Sequence, residues 1–97
     1  MHARALIGLA QAHLALGDIA DAAAAADEAL EMAESFVEAG TPSYLIGLSL
    51  VARGEVLLAR RAPDEARAVF REALQHLERT LGAEHPATRR VAGRVAS

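Results

Sequence analysis

The second half of this chain repeats the first. When Ala29-Leu30 is laid over Ala73-Leu74, a spacing of 44 residues, Leu6 falls on Leu50, Ala10 on Gly54, His13 on Leu57, Ala22 on Ala66 and Ala26 on Phe70. Self-similarity at a fixed spacing marks units that cannot bury their own apolar face and must stack on a neighbour. Small residues recur at the matched positions, where helices are expected to touch.

Each unit carries the period of a helix. Leu6, Leu9, Ala10, His13 and Leu14 recur at three and four until "LGDIAD" supplies Gly17 and Asp18, predicting a first helix over 3–16. Ala22, Ala26, Ala29, Leu30, Ala33 and Val37 share a face of a second, over 19–38, which "AGTPS" ends. Leu50, Val51, Gly54, Leu57 and Leu58 mark a third over 43–61, and Pro63, Asp64 and Glu65 open a fourth that buries Ala66, Phe70, Ala73, Leu74 and Leu77. Gly82 ends it, and Pro86 restarts a helix of only eleven residues, too short to stand alone in water. The expectation is all-α: an α-α superhelix of two antiparallel helix hairpins plus a short C-terminal capping helix. It forms one domain over 1–97, with repeat one at 3–38, repeat two at 43–81 and a partial third repeat at 86–97. Alanine supplies 24 of the apolar residues, so the core should rely on close helix approach more than on bulk.

The same composition removes several classes of function. With no cysteine there are no disulfides or thiolate metal sites. No apolar run reaches the roughly 20 residues of a membrane span, and "MHARALIG" lacks the parts of an export signal, so a cytoplasmic protein without membrane contact is expected. All ten basic residues are arginine, a coding bias that suggests a GC-rich bacterial source. Residues 1–50 carry a net charge of −6 and residues 51–97 a net charge of +3.

No constellation for catalysis stands out. Without lysine there is no P-loop, and "GLSLV" lacks the second glycine of a nucleophile elbow, leaving Ser49 a helix serine. His2, His13, His76 and His85 never fall at the spacing that places two imidazoles on one helix face. A small metal-binding or hydrolytic protein built from His13, His76 and the acidic ridge Glu28, Glu31, Glu34 and Glu38 is the rival reading. His13 is instead expected to be packed and hydrogen-bonded, and the ridge solvated. Arg89, Arg90 and Arg94 could touch phosphates, but the acidic balance and the lack of aromatics interleaved with them argue against nucleic acid. No enzyme activity, cofactor or metal is expected.

The pattern resembles the tetratricopeptide repeat, which asks for Leu-Gly-x-x-Tyr in its first helix and Ala-x-x-x-Phe in its second. Repeat two offers Gly54, Leu57, Ala66, Phe70 and Ala73; repeat one offers Leu9, Ala10, Gly17, Ala22 and Ala29. "RTLGAEHPATRR" is similar to the Leu-Gly-x-x-His-Pro-x-Thr junction of the longer, kinesin-light-chain-like variety. The chain departs from the pattern at Ala26, where Phe is usual, at Arg53, where Leu is usual, in having no Trp or Tyr at the usual aromatic positions, in lacking a closing proline after repeat one, and in a period longer than 34.

The resemblance implies a non-enzymatic interaction scaffold, here expected to belong to a bacterial regulatory or signalling protein, that binds an extended or helical peptide on the face of its first helices. That face would show Arg4, Ile7, Gln11 and Leu14, then Leu48, Val51, Glu55 and Leu58. Gln11 and Glu55 stand where some members carry a Lys and Asn clamp for a terminal carboxylate, which argues against that ligand. Because the first helix follows Met1 without a polar cap and the last is half a repeat, self-association as a dimer is also expected. Leu77, Leu81, Val91 and Val95 would form the contact, with Arg90 or Arg94 against Glu31 or Glu34.

Overall fold

Where each helix stops decides how the chain folds back. In the computed structural model, which describes residues 2–96, five helices follow one another: α1 (Ala3–Leu16), α2 (Ile19–Ser35), α3 (Tyr44–Ala59), α4 (Pro63–Thr80) and α5 (Pro86–Ala96). Met1 and Ser97, the two ends of the expected domain, lie outside the described residues. Gly17 adopts φ +83°, and the next amide, Asp18 N–H, donates to the His13 carbonyl at 2.8 Å, so α1 ends in a left-handed cap that reverses the chain within two residues. The same wrap closes α3, where Ala62 N–H donates to the Leu57 carbonyl at 2.9 Å and Arg61 takes φ +61°. That turn ends α3 at Ala59 rather than residue 61.

Helix α2 stops at Ser35 rather than residue 38. The Ser35 hydroxyl donates back to the Met32 carbonyl at 2.6 Å, and the Phe36 side chain projects into solvent with 68% of its surface exposed. Val37 still packs against the core, but the chain has left the helix and crosses to α3 through Gly40, Thr41 and Pro42. Ser43 caps α3, its Oγ accepting the Ile46 N–H at 3.2 Å.

Packing follows chain order: α1 lies on α2, α2 on α3, α3 on α4 and α4 on α5, with α1 also reaching α3. This is the α-α superhelix expected, two hairpins followed by a short helix. Helix α3 packs broadly on three neighbours, α1, α2 and α4, which is why it is apolar nearly all round, with only Arg53 and Glu55 charged.

The two repeats fill equivalent space in different ways. Ala10 and Ala26 are both fully buried in repeat one. Their counterparts in repeat two are Gly54 and Phe70, and Phe70 is the largest fully buried side chain of the fold. A Cβ on Gly54 would stand 2.6 Å from Phe70 Cε1. The ring occupies the volume that a side chain at position 54 would need. The exchange recurs one step along: Ala3 and Ala33 in repeat one correspond to Gly47 and Leu77 in repeat two, where a Cβ on Gly47 would stand 2.7 Å from Leu77 Cδ2. The matched small residues therefore do not always face small partners, because a glycine is paired with each large side chain.

Helix α5 closes the second repeat. Its Val91 is 3% exposed and joins the main core, and the buried Thr88 hydroxyl donates to the Leu77 carbonyl at 3.4 Å. His85 starts the helix, its Nδ1 accepting the Ala87 N–H at 3.1 Å.

The glycine–phenylalanine pair sets a test by chemical denaturation. Gly54→Ala should cost about 1–3 kcal/mol through overpacking, and Phe70→Ala about 3–5 kcal/mol through the cavity it leaves. The double variant should cost clearly less than the two together, because the new methyl enters space the ring has vacated. Strictly additive costs would rule out the steric exchange.

Candidate functional site

The first-helix face is centred on α3. Because α3 is apolar all round yet covered on three sides only, Leu48, Val51 and Leu58 pack their inner atoms on the core and leave outer atoms half-buried along the uncovered side. Glu55 interrupts this strip. Its carboxylate is held by α5, with Arg94 Nη2 at 3.0 Å from Oε1 and 3.1 Å from Oε2. The same guanidinium lies 5.7 Å from the centre of the Phe70 ring. Beside this ion pair, Leu58, Pro63, Arg67, Phe70 and Arg94 line an open cavity of about 270 Å3.

On α1 the face is less complete. Arg4 and Gln11 are exposed and Leu14 is half-buried, but Ile7 is only 7% exposed and packs with Leu6 and Ala29. Ile7 is therefore core rather than groove, turned inward because α1 also rests on α3. The observed face runs from Arg4, Gln11 and Leu14 across to Leu48, Val51, Glu55 and Leu58.

The surface expected to join two chains is largely occupied within one. Leu77 is fully buried under Gly47, and Val91 is spent on the core beneath α5. Leu81 and Val95 are half-buried against the same core, and Arg94 holds Glu55 rather than Glu31 or Glu34. Of that group the charged residues Arg90, Arg94, Glu31 and Glu34 are exposed, and none of the apolar ones is. The short last helix consumes its own apolar side in capping α4, so little remains there for a partner.

The histidines part company. His76 sits on α4 against the start of α3, where its Nδ1 accepts the Ser43 N–H at 3.1 Å, so the ring's other nitrogen must carry the proton in the neutral form. His13 lies at the far end of α1, half-buried, with Nδ1 3.7 Å from Asp18 Oδ2. That distance is electrostatic contact without a hydrogen bond, and His13 Nδ1 is buried without a hydrogen-bond partner. The expectation that His13 would be hydrogen-bonded is thus corrected. His13, Asp18 and Asp21 bring ligand-type atoms within 4.8 Å of one another, although both carboxylates are exposed and stand at the start of α2, whose dipole opposes a cation.

A second concavity had no signal in the sequence. About 440 Å3 in volume, it lies between the end of α2, the loop to α3 and the outer side of α4. Glu34, Glu38 and Glu72 line it with His76 and Arg79, over a floor that includes Ile46. Glu34 and Glu38 read as solvated ridge along α2, and only the packing of α4 brings Glu72 to the same cleft. Among the described residues no helix is long and apolar enough to cross a membrane.

Two hairpins in register, with matched buried positions 44 residues apart and a third helix begun, are the arrangement the sequence resemblance implied. The model of the tetratricopeptide repeat family matches residues 2–38 and 48–87. The chain belongs to the tetratricopeptide repeat family. The first match covers α1 and α2; the second begins within α3 and runs through α4 to the first turn of α5. No curated protein and no solved structure matches the chain. Repeats of this family mediate protein–protein interaction, and the family is non-enzymatic.

Within this repeat array the Glu55–Arg94 pair is half-exposed, so solvent screens it. A double-mutant cycle with Glu55→Ala and Arg94→Ala should return a coupling of about 0.2–1 kcal/mol that shrinks with added salt. A coupling several times larger would mean that the pair is desolvated in solution.

Proposed function

We propose that this tetratricopeptide repeat unit is a non-enzymatic scaffold that binds a peptide segment, extended or helical, along its first-helix face. The observation that supports it is the apolar strip Leu48, Val51 and Leu58, half-open on α3 and interrupted by one carboxylate. Apolar side chains of a ligand gain by covering that strip, while Gln11 on α1 and Glu55 on α3 offer the polar groups that fix register. The cavity beside Arg94 gives an anchoring side chain a place to enter.

The reading extends to context. A cytoplasmic bacterial regulatory or signalling protein suits an interaction unit with no catalytic constellation. The Leu81-Gly82 and His85-Pro86 junction, in which Gly82 takes φ +90° and Thr88 is buried, supports the kinesin-light-chain-like variety of the repeat.

Peptides selected by display against the purified chain provide the test. Leu58→Asp and Glu55→Arg should each weaken the selected peptides by about tenfold or more, with circular dichroism confirming that the helices remain. Glu38→Arg and Glu72→Arg, in the cleft beside α4, should leave affinity within about twofold. The opposite pattern would move the binding site to that cleft and refute the first-helix face.

A further inference from the structure

Helices α2 and α4 both rest on α3 and barely touch each other, so a gap opens between them where α2 ends. The loop that follows α2 closes one side of the gap, which gives the concavity of about 440 Å3 beside α4. Its walls are internal to the two repeats, and it shares no lining residue with the first-helix face. We propose that this cleft binds an arginine side chain presented by a partner peptide.

Three features of the cleft select that occupant. The first is charge. Glu34 of α2, Glu38 of the loop and Glu72 of α4 line the cleft against a single arginine, Arg79, and none of the four makes an ion pair among the described residues. Carboxylates gathered without a paired cation repel one another, and a ligand cation relieves that repulsion. The second is the apolar surface beneath them. Val37 and Pro42 are half-buried in the wall and Ile46 is buried in the floor. A hydrocarbon stem covers such a surface while its charged head stays at the rim. The third is spacing, which decides between cations. No three of Glu34, Glu38, Glu72 and His76 bring ligand atoms within 4.8 Å of one another, so they do not converge on a metal ion. A planar guanidinium carries N–H donors along both edges and reaches carboxylates that stand apart, whereas an ammonium is a compact point charge.

This site is separate from the proposed peptide face. Leu58→Asp, which should weaken ligands on that face, should leave arginine binding in the cleft unchanged, so the two readings fail separately.

A nitrogen–proton NMR titration of the 97-residue chain with the capped tripeptide acetyl-Ala-Arg-Ala-amide tests the proposal. The amides of residues 38–41 and 72–79 should shift and saturate in the millimolar range, as suits one side chain, while those of Leu48 and Leu58 stay still. The same tripeptide with citrulline, which keeps the shape and loses the charge, should not bind, and the lysine version should bind more weakly than arginine. Glu38→Gln and Glu72→Gln should each weaken the arginine probe by about two- to fivefold, and Arg79→Gln should tighten it by a similar factor. All three sites are exposed, so melting temperatures should hold and separate lost binding from lost fold. Arginine and citrulline binding equally, shifts confined to the first-helix face, or no cleft shift at about 20 mM probe would each overturn the proposal. So would cleft amides that move with protein concentration alone, which would place a second copy there.

Discussion

The contact between Phe70 and the bare backbone at Gly54 sets the separation of α3 and α4, and the rest of the second repeat is arranged around it. A ring at the centre of a two-helix contact normally pushes the helices apart. Here the opposing position has no side chain, so the ring enters the space and the helices remain close. Gly47 and Leu77 repeat the device nearer the other end of the pair. Two such steps fix register along the hairpin, since sliding α4 by one turn would drive both large side chains into the backbone or neighbouring residues of α3.

Repeat one reaches a comparable spacing with alanine on both sides. Ala10 with Ala26, and Ala3 with Ala33, fill the equivalent positions and none is more than 3% exposed. The consequence is an uneven core. Most of the large buried side chains belong to α3, α4 and α5, while α1 and α2 are held together by close approach of small residues. Thus α3 is at once the inner wall of repeat two, the neighbour of α1 and α2, and the base of the proposed peptide-binding face. Its half-open leucines and valine follow from that position.

The polar groups that matter lie at helix ends and junctions. Ser43 caps α3 while its own amide is taken by His76, tying the start of α3 to α4. Thr88 ties α5 to the end of α4 through the Leu77 carbonyl, which also accepts the Leu81 and Gly82 amides at 2.8 and 3.2 Å. These bonds occupy backbone groups that helix termini would otherwise leave unmet. They also explain why an eleven-residue segment is helical: α5 is held by Thr88 and Val91 against a completed neighbour rather than by its own propensity.

The sequence by itself determined the helices, their turns, the repeat and the family, because these depend on local signals. Gly17, Pro63, Gly82 and Pro86 act through their own dihedral preferences, and the spacing of 44 residues can be read without knowing what touches what. Ends without a glycine cap, at Ser35, whose hydroxyl turns back to the Met32 carbonyl, and at Ala59, closed by Arg61 at φ +61°, were less legible. Surface was the least legible of all. Ile7 and Leu14 share a helical face in the sequence, yet one is core and the other half-open because α3 covers only part of α1. Val91 and Arg94 look available until α5 folds onto α4 and Arg94 reaches Glu55 of α3, and Glu72 joins Glu34 and Glu38 only when α4 packs behind the loop. Which side of an amphipathic helix is buried follows from its pattern; what lies against its remaining sides depends on contacts between residues tens of positions apart, and only the tertiary structure decides them.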